Sequence, residues 1–176
     1  MSSKTEAPAL GAAAEHTDEG FCQALALYTT LASRPTTDRH TRLVCLAKKA
    51  ALLDAHPRIR AFDNRRSRSK GRNGSATLHP AESSSSSSAS ASLRPLLIAR
   101  AAVFRDLAAA YKESGAAVNA SAAYDRAVQL MQSLPDDSDC LSEALAEWAD
   151  VEESLGRATK ASRLRERSRG CAEEKE

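Results

Sequence analysis

The chain has 176 residues and a formal net charge of +2; 42% of it is hydrophobic but only 4% is aromatic. Alanine supplies much of the apolar content and is the strongest helix former, while β-branched runs and alternating strand patterns are missing, so the composition points to an all-α fold and away from a sheet. No apolar run reaches the ~18 residues of a membrane span.

The first 16 residues are small and polar and read as a flexible N-terminal tail. They have no apolar signal-peptide core, and the acids Glu6, Glu15, Asp18 and Glu19 do not suit a mitochondrial presequence. The expected location is the cytoplasm, with access to the nucleus. The four cysteines, Cys22, Cys45, Cys140 and Cys171, are widely spaced and form no CxxC pair, as idle thiols of a reducing compartment would be.

Residues 17–63 read as a first helical hairpin. Thr17 can cap a helix whose inward stripe is Phe21, Ala24, Leu25, Tyr28, Leu31 and Ala32. Pro35 stops it. Thr36 or Thr37 with Asp38 starts a second helix carrying Leu43, Leu46, Ala47, Ala50 and Leu53, and His56-Pro57 ends that one. From 64 to 92 the sequence turns basic and then serine-rich, ending in SSSSSSASAS, and offers nothing to bury; this predicts a disordered insertion.

Residues 93–170 read as two further hairpins. Pro95 fits the first turn of a helix carrying Leu96, Leu97, Val103, Phe104, Leu107 and Tyr111, and Gly115 closes it. The next helix carries Ala120, Ala123, Tyr124, Ala127, Val128 and Met131, with Pro135 beyond its end. Ser138 or Asp139 can cap a fifth, holding Leu141, Leu145, Trp148, Val151 and Leu155 and closed by Gly156. A sixth, Ala158–Arg169, shows a narrow stripe of Ala158, Ala161 and Leu164. The C-terminal tail is 171–176. About six helices are expected in all.

Three of these helices share a pattern: FCQALALY at 21–28, FRDLAAAY at 104–111 and LAEWADVE at 145–152. Gly115 and Gly156 stand 41 residues apart, as do Phe104 and Leu145. A fixed period of this size marks a helical repeat.

The segment Ala101–Pro135 resembles a tetratricopeptide (TPR) repeat. Phe104, Leu107, Ala108, Tyr111, Gly115, Ala120, Tyr124 and Ala127 match that pattern in register, while Pro135 comes late. The 41-residue spacing is closer to the long repeats of kinesin light chains than to the common form. The third unit departs from the pattern, with Trp148 early and Glu152 where a tyrosine is expected; the first lacks a closing glycine. The resemblance implies a short right-handed solenoid of stacked antiparallel hairpins, interrupted by the insertion, with a concave face for a peptide or partner helix. By register that face would present Arg105, Ala109, Lys112 and Glu113 in the middle unit and Glu143, Asp150 and Glu153 in the last. Some members grip a C-terminal carboxylate with lysine, arginine and asparagine; Ala109, Glu143 and Glu147 do not suit that ligand. A partner with a basic or bipolar segment fits better.

No catalytic or metal grouping stands out. His16, His40, His56 and His79 are isolated, His40 and Cys45 lack an orienting third group, and no phosphate-binding glycine loop is present. No cofactor, metal or small-molecule substrate is expected. The tract around Arg58, Arg60, Arg65, Arg66, Arg68, Lys70 and Arg72 faces one acid, Asp63. It reads as an import signal, a phosphorylation target, a contact for RNA or another anionic surface, or a soluble linker. The reading overall is a non-enzymatic protein-binding scaffold or adaptor with no membrane role. The alternatives are an RNA-associated adaptor acting through 58–72 and a structural subunit of a larger complex.

Overall fold

The structure is a computed structural model that describes residues 18–70, 87–134 and 138–173, with side chains described for 19–68, 93–134 and 140–171. Among the described residues there are seven helices and no strand. They are α1 (Asp18–Ser33), α2 (Arg39–Ala55), α3 (Pro57–Lys70), α4 (Ser87–Glu113), α5 (Ala117–Met131), α6 (Ser138–Ser154) and α7 (Ala158–Glu173). The all-α expectation holds.

The helices pack largely in chain order: α1 on α2, α2 on α4, α4 on α5, α5 on α6 and α6 on α7. The exception is α3, which lies against α2 and α4 with a smaller contact. One core cluster runs through all of them, from Phe21 to Leu164. Much of it is alanine: Ala108, Ala120, Ala127, Ala144 and Ala149 are each 0% exposed. Side chains this small let helix backbones approach closely, while Phe104, Tyr124, Leu145 and Trp148 fill the wider gaps between them.

Local signals explain several boundaries. Asp38 caps α2 by accepting from the Thr41 amide at 2.9 Å. That bond and the one from the Thr41 hydroxyl hold its carboxyl below the usual carboxylate range. The inward stripe of α1 is the predicted one, yet only Phe21 is fully buried and its partners are half-buried.

The ends of α4 and α6 are alike. Gly115 and Gly156 sit in the left-handed region, with φ of 79° and 74°. At the first, the Gly115 amide donates to Lys112 and the Ala116 amide to Tyr111; at the second, the Gly156 amide donates to Glu153 and the Arg157 amide to Glu152. This is the Schellman closure, in which a left-handed glycine lets two amides satisfy the last carbonyls of the helix. The 41-residue period is therefore present in the backbone as well as in the sequence.

Four expectations are corrected. Residues 64–70, assigned to a disordered insertion, form the last half of α3. Ile59 is fully buried and Phe62 packs against the core, which anchors an otherwise basic helix. Pro95 lies inside α4, not in its first turn, because the helix begins at Ser87. The C-terminal helix continues past Arg169 through Gly170, Cys171, Ala172 and Glu173, and Cys171 packs on the core. The count of about six helices becomes seven because of α3. The expected tail at 1–16, Thr17, the middle of the insertion at 71–86, Pro135 and 174–176 lie outside the described residues.

Candidate functional site

The six residues chosen for a binding face fall into two sets, Arg105, Lys112 and Glu113 on α4 and Glu143, Asp150 and Glu153 on α6. The structure joins them through ion pairs between helices. Arg105 forks onto both oxygens of Glu147, at 3.0 and 2.8 Å, and also reaches Glu143 at 3.0 Å. Its hydrogen bonds to Glu147 raise the guanidinium pKa above its usual value, against the opposing effect of burial. Two turns along, Lys112 faces Asp150 at 3.8 Å. Asp150 and Glu153 both accept from Arg165 of α7. Glu113 pairs in the other direction, with Arg42 of α2 at 3.4 Å.

The charge on this face is not evenly presented. The side chain of Arg105 is 26% exposed and that of Arg165 39%, whereas Glu143, Asp150 and Glu153 are 64%, 58% and 59% exposed. Carboxylates project and guanidinium groups lie beneath them. Ion pairs this open to water contribute about 0–1 kcal/mol each, so an incoming cation can take their place at little cost. Beside Arg105 the face holds a pocket of about 300 Å³ with an apolar floor that includes Ile98, Ala102, Ala109 and Met131. Glu147 was weighed in the sequence only as an obstacle to a carboxylate ligand; with Glu143 and Asp150 it ties α6 to α4.

A second polar group was missed altogether. Glu152, 0% exposed, takes the place where the repeat expects a tyrosine. Its carboxylate accepts from Trp148 Nε1 at 2.9 Å, from the Ser121 hydroxyl of α5, from Lys160 Nζ of α7 at 2.8 Å and from Arg157 at 3.3 Å. Burial pushes its pKa up, but the hydrogen bonds from Lys160, Ser121 and Trp148 and the charge of Lys160 outweigh this and hold it at about 2. Lys160 also lies over the Trp148 ring, 4.5 Å from its centre. No signal at a single position reveals this arrangement, because the partners stand 31, 4, 8 and 5 residues away.

The basic candidates occupy α3. Arg65, Arg66 and Arg68 are exposed, and Arg66 donates to the Gln129 carbonyl of α5 at 3.4 Å. Lys70 closes the helix, and Arg72 lies outside the described residues. Beneath them Arg100 of α4 is 2% exposed. It binds Asp54 of α2 at 2.7 Å and Asp63 of α3 at 2.9 Å. These contacts raise its pKa although burial acts in the opposite sense.

The residues that carry the resemblance differ in burial. Phe104, Leu107, Ala108, Ala120, Tyr124 and Ala127 are buried, Tyr111 is half-buried and Gly115 closes the helix. Burial raises the Tyr124 phenol pKa well above its usual range, with the charge of Glu147 adding to the effect. Of the imagined nucleophile pair, Cys45 is buried and His40 is exposed. His56 is buried edge-on to Phe21 at 4.7 Å. Among the described residues no three His, Cys, Asp or Glu side chains group as metal ligands would, and no helix is long and apolar enough to cross a membrane. Compared with known proteins, the chain matches no family model, no curated protein sequence and no solved structure.

Proposed function

We propose that this chain is a non-enzymatic, TPR-like interaction module that holds a peptide or partner helix against the α4–α6 face, serving as a scaffold or adaptor in the cytoplasm with access to the nucleus. What supports this reading is the ladder of ion pairs that brings Arg105, Lys112, Glu143, Asp150 and Glu153 onto one face. The more exposed carboxylates favour a partner whose segment is basic or bipolar, and the neighbouring apolar pocket favours an aliphatic side chain beside that charge. In this reading the repeat pattern builds the scaffold, and the charged side chains between its positions choose the partner.

A second reading is supported by the exposed arginines of α3: an adaptor for RNA or another anionic surface. Affinity capture from native cells separates the two. The wild type is compared with Glu143→Lys/Asp150→Lys and with Arg65→Gln/Arg66→Gln/Arg68→Gln, each shown by circular dichroism to be folded. The leading reading expects protein partners to be lost with the first variant and kept with the second. The opposite pattern, with nuclease-sensitive capture that falls steeply with salt, would sink it in favour of RNA.

A further inference from the structure

Two carboxylates line the pocket of about 300 Å³ beside Arg105, and their surroundings differ. Glu147 is engaged: both of its oxygens accept from the Arg105 guanidinium, at 3.0 and 2.8 Å. Asp106 is not. Its side chain makes no hydrogen bond or ion pair among the described residues. Although exposed, it loses part of its hydration to the pocket walls, which raises its carboxyl pKa, with Glu147 adding to the effect. Lys49, Arg42 and Arg105 act in the opposite sense, from beyond ion-pairing distance. Arg42 is paired with Glu113 at 3.4 Å, and Lys49 has no ion pair among the described residues.

Much of the remaining lining is aliphatic. Ile98 is 41% exposed, a large hydrophobic side chain left open to water. Ala102 and Ala109 take up little room on the same helix, and the buried Met131 closes the floor. An apolar trough therefore ends at a carboxylate that lacks a partner.

We propose that this pocket takes a lysine side chain of the partner, with its stem along Ile98, Ala102 and Met131 and its ammonium on Asp106. This deepens the reading of the α4–α6 face as a partner-binding surface and rests on it. Lysine joins a long apolar stem to a compact charge, which answers an aliphatic trough and a single unpaired carboxylate. Arginine fits less well. No aromatic side chain lines the pocket for a guanidinium plane to stack on, and a second guanidinium would lie close to that of Arg105. An anionic ligand would meet Asp106 and Glu147, with Arg105 already committed to the latter. The ammonium restores to Asp106 what the walls have taken from it and leaves the Arg105–Glu147 fork intact.

The test is a titration of isotope-labelled full-length protein, followed by amide NMR shifts. The probes are a glutamine-rich helical peptide with one central lysine and its twins with norleucine, acetyl-lysine or arginine at that place. The lysine peptide is expected to shift residues 98–109 and 140–147. It should bind about fivefold or more tightly than the norleucine and acetyl-lysine twins, the scale of one charge-assisted pair, with the arginine twin between. Asp106→Asn should remove most of that preference at an unchanged melting temperature. Lys49→Met, which removes the cation acting most strongly on Asp106, should increase it. Equal binding of the norleucine twin, no saturable shift with any peptide, or a full preference in Asp106→Asn would overturn the proposal. Affinity capture tells its failure from that of the wider reading. If Asp106→Asn keeps the partners that Glu143→Lys/Asp150→Lys loses, the face stands and the lysine pocket falls; if both variants keep them, the face falls too.

Discussion

Tyr111 and Glu152 stand at equivalent places in successive hairpins, each four residues before the glycine that closes its helix, and each with a carbonyl that accepts the same Schellman bond. Around the first the packing is apolar: Ala108, Ala110, Ala120 and Leu107 are buried nearby in the chain. Around the second sits a carboxylate held by tryptophan, serine, lysine and arginine. One backbone frame accepts two kinds of filling because the frame is set elsewhere, by the glycine closure and by alanines such as Ala108 and Ala149, which share a position in the repeat and are both 0% exposed. What differs is the means of joining neighbours. The α4–α5 hairpin uses shape, whereas α6–α7 adds a set of directional bonds, one of which crosses to Ser121 of the preceding hairpin.

Breaking the shared frame should have the largest effect. Ala108→Glu and Ala149→Glu each force a charge into a fully closed contact, and each is expected to cost more than about 4 kcal/mol, enough to abolish the cooperative thermal transition seen by circular dichroism. If only one of the two unfolds the chain, the frame is not shared.

Breaking the difference comes next. Glu152→Ala leaves Trp148 and Ser121 without their acceptor, for an expected loss of about 3 kcal/mol in urea denaturation, whereas Tyr111→Phe, on a half-buried side chain, should cost under about 1 kcal/mol. The same carboxylate makes a pH prediction. Its pKa is lowered from an ordinary 4.5 to about 2 on folding, so its stabilisation is complete above about pH 4.5 and is lost as pH falls through 2. The amount is about 3 kcal/mol. Glu152→Gln should flatten the stability profile across that acid window, and Lys160→Met should narrow it. An unchanged acid slope in Glu152→Gln would remove the carboxylate from the account.

The smallest effect should be the most symmetrical. A Cβ added at Gly115 or Gly156 meets nothing within 4 Å, so Gly115→Ala and Gly156→Ala pay only for a left-handed backbone. Each is expected to lose about 1 kcal/mol. Melting temperatures that drop by similar amounts would sharpen the equivalence of the two closures.

Much of this frame is legible in the sequence because it depends on local patterns. Six apolar positions predicted for α5 are all buried, and both closing glycines have positive φ. The helix α3 was not legible. Its only strong apolar anchors are Ile59 and Phe62, too few to set a period among Arg58, Arg60, Arg65, Arg66 and Arg68, and its docking depends on Arg100, nearly forty residues downstream. The charged face was legible as a set of residues, but not as a set of pairs. The register of the resemblance puts Arg105 on the candidate face and weighs Glu147 only against a carboxylate ligand, without saying that the two meet. Glu152 looked like a failure of the repeat because its partners lie on three helices.

The bonds of Glu152 bear on how the molecule unfolds. Helices that pack mainly on their chain neighbours tend to fray from an end. Here the carboxylate is fully satisfied only when α5, α6 and α7 are docked together, because Ser121 comes from α5 and Lys160 from α7. Lifting α7 away would take the Lys160 ammonium, while separating α5 would take a hydroxyl, and either leaves a charged group short of donors in a closed space. Local opening of this part of the chain is thereby discouraged, and its three helices should exchange their amide protons as one unit.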